Sequence, residues 1–186
     1  MSRIGRLPIE IPQNVTVDVT VEGNVVVTGP KGSLRQYMDS CITLTKTEDA
    51  GKTTVVLTRN SEEAPVKAKH GLYRALIADM VKGVTEGYSK SLTISGVGYK
   101  VEVKGNKIVM NIGFSHPVNV DIPEGITATC PSLTEIVVSG ISKEKVGQFA
   151  ADIKAIKKVE PYHGYGIHYT NEPVRMKEIK KGAKKK

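Results

Sequence analysis

Near the end of the chain, Glu160 to Tyr169 reads EPYHGYGIHY, placing three tyrosines, two histidines and two glycines in ten residues. The whole chain has seven Tyr, two Phe and no Trp, so this density sets the stretch apart. Three chemistries are open to it. His163 and His168 can hold a metal or move protons. Gly164 and Gly166 can bring the backbone close to a phosphate or supply unusual φ. Tyr162, Tyr165 and Tyr169, beside lysines, can stack on exposed bases.

The metal reading lacks partners. Zinc sites want closed sets of three or four ligands at short spacing. His163 and His168 are five apart with no Cys near them, and the nearby acids are Glu160 and Glu172. The other histidines are His70, expected to pack or lie at the surface, and His116, which shapes the turn before Pro117. No GxxxxGK[ST] phosphate loop and no GxSxG elbow occurs. GVGY at Gly96 to Tyr99 leads into a strand pattern, so a bulge or tight strand entry is its expected use. GPKG at Gly29 to Gly32 reads as a turn. No catalytic constellation, metal or cofactor is expected, and an RNA-acting enzyme using His163 and His168 is the poorest of the readings.

Charge points elsewhere. The 186 residues carry 27 Lys and Arg against 19 Asp and Glu, a net +8. Residues 154–186 hold ten of the cations (Lys154, Lys157, Lys158, Arg175, Lys177, Lys180, Lys181, Lys184, Lys185 and Lys186) and three acids, giving +7. A basic end on a near-neutral body suits a polyanion; the alternative is a solvated, disordered tail that only aids solubility. Long cations reach phosphates and release counterions, while Tyr and His rings stack; the alternative for Tyr162, Tyr165 and Tyr169 is to pin the chain's exit against the second domain, and some of each is expected. Lys154, Lys157 and Lys158 are expected late in a helix that Pro161 stops, followed by the aromatic–glycine stretch and a loose lysine tail. The first 90 residues, with 12 basic and 10 acidic side chains, lack such a footprint and read as a protein-facing module.

The elements that must carry this end are legible as a repeat. VTVDVTV (15–21) alternates with strand period, and Gly23-Asn24 joins it to VVVTGP as a hairpin. Apolar stretches follow near Cys41 to Leu44 and at TTVVLT (53–58). A helix is predicted between Glu62 and Met80, with Ala68, Leu72, Ala75 and Leu76 on its inner face, Asn60 or Ser61 capping it and Glu62 and Glu63 in its first turn. VKGNKIVM (103–110) matches VEGNVVVT (21–28) at an offset of 82, and TEIVVSG (134–140) matches the 54–59 strand at 81. A second helix from Ser142 carries Val146, Phe149, Ala150, Ile153 and Ile156 on one face; the offset of 81 puts Phe149 on Ala68. The expected fold class is α+β: two duplicated domains, each an antiparallel β-sheet packed with one α-helix, plus a basic C-terminal extension. The expected bounds are 1–81, 82–172 (the RNA-binding repeat) and 173–186.

No run of 18 apolar residues exists, so no membrane span is expected. MSRIGRLPIEIP lacks the apolar segment of a secretory signal. Cys41 and Cys130 match no zinc or redox spacing and read as reduced, buried thiols of a cytosolic protein.

Pieces along the whole length carry a resemblance: MSRIGRLPIEIP, GVTEGYSKSL, SGVGYKVEVKGN, IGFSHPV, IPEGITATCPSLTEIVVSG and KKVEPYHGYGIHYTNEPVRMKEIKKGAKKK. With these the chain resembles the bacterial family of the sixth protein of the large ribosomal subunit. The resemblance implies a duplicated α+β fold in the cytoplasmic ribosome. It also implies binding to large-subunit ribosomal RNA mainly through the second domain and C-terminal segment. The implied place is by the sarcin–ricin loop, near where translational GTPases dock, with neighbouring ribosomal proteins at the stalk base. Where relatives often read EPYKGKGIRY, this chain has His163, Tyr165 and His168 in place of three cations. Glu160, Pro161, Tyr162, Gly164, Gly166 and Tyr169 keep the frame.

Overall fold

A computed structural model describes residues 3–20, 23–49 and 52–178. It divides into two compact units, Met1–Tyr88 with Ile141–Lys143, and Ser89–Gly140 with Glu144–Lys186. The first unit runs β1 (Ile9–Ile11), β2 (Thr16–Val19), β3 (Asn24–Gly29), β4 (Gly32–Tyr37), β5 (Ile42–Asp49), β6 (Lys52–Arg59) and α1 (Ala64–Thr85). Its strands form two three-stranded antiparallel sheets, β2-β3-β4 and β1-β6-β5. The alternation in VTVDVTV and VVVTGP places Val17, Val25 and Val27 inward, where they meet Val55, Leu57, Ile77 and Val84 of the core. Gly29 and Gly32 pair across the Pro30-Lys31 turn, as GPKG suggests.

The expected helix is present, but its inner face differs. His70, Tyr73, Ile77, Met80, Val81 and Val84 are buried, whereas Ala68 is exposed and Leu72 is 54% exposed. In a helix of 22 residues with apolar side chains on several sides, periodicity alone leaves two candidate stripes. The strands choose one because His70 can be satisfied there. Its Nε2 lies 3.0 Å from the Leu57 carbonyl oxygen and its Nδ1 3.3 Å from the Arg59 guanidinium. The start also differs. Glu63 occupies the cap position in extended conformation without a side-chain cap, and Pro65 takes the first turn, where its missing N–H costs nothing. Glu62 lies outside the helix, paired with Arg59 at 2.6 Å and Lys67 at 3.2 Å. The expected boundary between residues 81 and 82 falls inside α1, which continues to Thr85.

The second unit contains β7 (Tyr88–Ser95), β8 (Lys100–Lys104), β9 (Lys107–Asn111), β10 (Val118–Asp121), β11 (Ile126–Ser132), β12 (Glu135–Gly140), α2 (Lys143–Ile156) and β13 (Gly166–Tyr169). Its sheets are β10-β9-β8 and β11-β12-β7-β13. Each repeat therefore holds two sheets rather than one, and β13 has no counterpart among the described residues of the first repeat. The duplication is plain in burial, but at corrected offsets. Val55 and Leu57 match Ile136 and Val138 at 81, as read. Val25 and Val27 match Ile108 and Met110 at 83, not 82, because Asn24 is already the first residue of β3 whereas Asn106 still belongs to the turn before β9. A one-residue slip would have turned each buried side chain to the other face. His70, Tyr73 and Ile77 match Val146, Phe149 and Ile153 at 76, because the connection from β6 to α1 is longer than that from β12 to α2 and α1 begins nearly a turn earlier relative to the shared face.

Cys41 and Cys130 are free and half-buried rather than fully buried; burial raises the Cys130 thiol above its ordinary pKa. No helix among the described residues is long and apolar enough to cross a membrane.

Candidate nucleic-acid interface

The stripe Val146, Phe149, Ala150 and Ile153 turns α2 into the core and sets Lys154 at its margin. The helix ends at Ile156, so Lys157 and Lys158 lie beyond it, not within it, and Pro161 is not what stops it. The Lys157 carbonyl accepts instead from the Ile167 N–H at 2.9 Å, a tertiary bond that replaces helix continuation. The three lysines then part ways. Lys154 Nζ donates to both Glu172 carboxylate oxygens at 2.7 and 2.6 Å and lies 4.7 Å from the Tyr169 ring centroid. Lys157 Nζ donates to the Ile112 carbonyl at 2.6 Å and lies 4.9 Å above Tyr99 and 5.0 Å from Phe114. Lys158 is exposed. Glu172 is held below the usual carboxylate range, first by the Lys154 hydrogen bond and then by the Tyr169 N–H.

EPYHGYGIHY divides at its middle. Residues 160–165 form a closed turn in which the Glu160 N–H donates to Tyr165 O at 2.9 Å and the Gly164 N–H to Glu160 O at 3.0 Å. Gly164 makes the reversal at φ 75°. Residues 166–169 then enter the sheet as β13 on the edge of β7, with Gly166 opposite Ser95 and Tyr169 opposite Leu92. This strand went unread in the sequence, where the stretch looks like a hinge. Gly166 has φ 148°, and a Cβ there would lie 2.7 Å from Val159 Cα and 2.8 Å from the Lys158 carbonyl. Both glycines are thus required by the fold itself. Ile167 is fully buried.

The side chains sort accordingly. Tyr162 and Tyr165 are exposed, at 49% and 37%. His163 stacks on Tyr165 with centroids 5.5 Å apart and planes at 19°, and its Nδ1 lies 3.3 Å from Glu160. His168 and Tyr169 are half-buried in β13, with Lys90 as a second cation 5.6 Å from the Tyr169 ring. Arg175 and Lys177 are exposed, and the Lys177 N–H donates to the Pro161 carbonyl at 2.7 Å, bringing the chain back beside the turn. Lys180, Lys181, Lys184 and Lys185 lie outside the described residues. Among the described residues, no three His, Cys, Asp or Glu side chains are placed to hold a metal ion.

The outward set is therefore Lys158, Tyr162, His163, Tyr165, Arg175 and Lys177; Lys154, Lys157, Gly164, Gly166 and Tyr169 are engaged inside the unit, and His168 is half-buried in β13 with its Nδ1 unpaired. Tyr99 and Phe114, which hold Lys157, were not among the expected site residues. The signal lay in Gly96 of GVGY and in Gly113, both of which lie against the Tyr99 ring.

A family model described as Ribosomal protein L6 matches residues 11–87 and 95–170. The chain belongs to the ribosomal protein L6 family. A relative from Clostridium kluyveri, named "Large ribosomal subunit protein uL6", is 50% identical over 184 residues, 99% of this chain and all of its own. Proteins of that name from Clostridium beijerinckii and Dictyoglomus thermophilum are 50% and 46% identical over the same shares. The first L6 match falls in the first unit and the second, apart from Ile141–Lys143, in the second unit, in keeping with the duplication. The second L6 match runs through Thr170, so β13 lies within it and the basic extension lies beyond it.

Proposed function

We propose that this L6-family chain is a non-catalytic constituent of the large subunit of the cytoplasmic ribosome, binding and stabilising folded large-subunit ribosomal RNA. The second unit presents a rigid surface at the 160–165 turn, and the basic extension runs from that surface between RNA helices. The proposed place is by the sarcin–ricin loop, near the docking site of translational GTPases and the ribosomal proteins of the stalk base. The observation that carries the reading is the net +7 of residues 154–186, with exposed Tyr162, His163 and Tyr165 at its root. Phosphate contacts come from Lys158, Arg175, Lys177 and the tail lysines. At the turn, stacking and hydrogen bonding replace the fixed charges of relatives.

Removing residues 173–186 deletes seven cations. Binding to large-subunit ribosomal RNA should weaken, and log Kd should depend less steeply on log salt. An unchanged slope would deny the extension its role. The first unit suits a protein partner better: its charge is nearly balanced, and Val19, Tyr37, Met38, Ile42 and Leu44 line an open groove on it.

A further inference from the structure

Of the two phenylalanines in the chain, Phe149 packs in the core and Phe114 stands at a loop, 48% exposed. Val97, on the neighbouring loop of the same unit, is 84% exposed. Residues 113–117 are all exposed, yet the sequence there, GFSHP, is not that of an ordinary charged turn. Placing an aromatic ring in water forfeits its burial, so its surroundings merit a functional account.

Those surroundings are built. Lys157 reaches both loops at once, donating to the Ile112 carbonyl at 2.6 Å and lying over the Tyr99 and Phe114 rings. Gly96 and Gly113 admit the Tyr99 ring; a Cβ at either would stand 2.3 or 3.1 Å from it. The ammonium thus fixes Phe114 from one side while the ring keeps half its surface open. The stretches 95–101 and 111–120 contain no Asp or Glu; the exposed Lys100 lies within the first, and the exposed Lys158 follows Lys157 in the chain. The cluster is also continuous with the 160–169 segment: the Lys157 carbonyl accepts from Ile167, and the Lys158 carbonyl abuts Gly166.

We propose that the loops 96–99 and 112–117, fastened together by Lys157, form a platform on which Phe114 receives one unpaired RNA base, with Lys158 taking an adjacent phosphate. An exposed aromatic ring on acid-free loops, with Lys157 over it and the exposed Lys158 next in the chain, fits a base with its attached phosphates, since every base offers a π-face and the phosphates need the charge. Lys157 is a positioning residue there, already committed to the Ile112 carbonyl. The inference rests on the RNA-binding reading above and adds a second contact surface to it.

The test measures binding of the full chain to protein-free large-subunit ribosomal RNA across a salt series for the unaltered protein, Phe114→Leu and Phe114→Tyr. Phe114→Leu should weaken binding about tenfold without changing the salt slope, because no charge is removed. Phe114→Tyr keeps the ring and should bind within about twofold of the unaltered chain. Chemical probing should find an unpaired base protected by the Phe and Tyr forms and open with the Leu form. Thermal unfolding of both variants separates stacking from loss of fold. Equal binding by the Leu form, or an equal loss in the Tyr form while it remains folded, would overturn the platform. Normal RNA binding with impaired entry into subunits would assign it to a neighbouring protein and overturn it as well. Should the unaltered chain fail to bind this RNA, the functional reading itself falls, and the platform with it.

Discussion

Lys157 and Lys158 are adjacent and chemically identical, yet the fold gives them different work. Lys157 is spent on the Ile112 carbonyl and two aromatic rings, whereas Lys158 is exposed. Lys158→Met should lower the salt slope of RNA binding by about one. Lys157→Met should leave that slope unchanged while costing about 1–3 kcal/mol of stability, because the buried Ile112 carbonyl loses its donor. Salt titration and denaturant unfolding of the two variants separate the roles; equal slopes for both would refute the division. Glu172 supplies a pH test. Its folded-state pKa lies below the ordinary value, chiefly through the Lys154 hydrogen bond, so the folded chain takes up that proton less readily than the unfolded chain. Its stabilisation is present at neutral pH and fades as pH falls through the carboxylate range. Glu172→Gln should therefore melt below the unaltered chain at pH 7, and the two melting points should converge on acidification. A constant gap would show that the carboxylate charge is not the cause.

At the scale of elements, β13 is what turns a basic tail into an anchored one. Ile167 fills the core and Gly166 allows the strand to pass against Val159 and Lys158. Gly166→Ala meets backbone atoms at 2.7–2.8 Å and an unfavourable φ together. It should destabilise by about 1–3 kcal/mol or more, and limited proteolysis should then cut between Lys158 and Tyr169 first. Stability equal to the unaltered chain would mean that β13 is not held as described. Ile167→Ala leaves the backbone free but empties a buried site, and should cost about 2–5 kcal/mol. β13 escaped the sequence reading for a physical reason. Four residues are too few to show a period, and the strand's pairing with Ser95 to Leu92 joins segments over 70 residues apart. The α1 face escaped for a related one: two apolar stripes competed, and only the strands beneath could select the one containing His70.

For the whole molecule, charge and duplication point to divided labour between two similar units. The first carries a near-balanced surface, while the excess charge sits at the end of the second. On assembled large subunits, RNA crosslinks should concentrate in residues 96–117 and 154–178 and be sparse over Val15–Met80. Dense RNA crosslinks in that first stretch would sink the protein-facing assignment of the first unit.

The linear order of residues determined the α+β class, the duplication, the hairpins at GN and GPKG, and the basic end. Each is local: strand alternation, turn-forming glycines and summed charge need no distant partner to be read. Tertiary structure alone decided which stripe of α1 is buried, where α2 stops, that the last four residues of EPYHGYGIHY are an edge strand, and which lysines remain available. Those last features depend on tertiary bonds that no local pattern shows, such as Ile167 to Lys157 across the 160–165 turn or Lys157 to Ile112 across 45 positions. The histidine-rich stretch owes its glycines to packing and its open face to the turn at 160–165, and neither was visible until the strand beside it was in place.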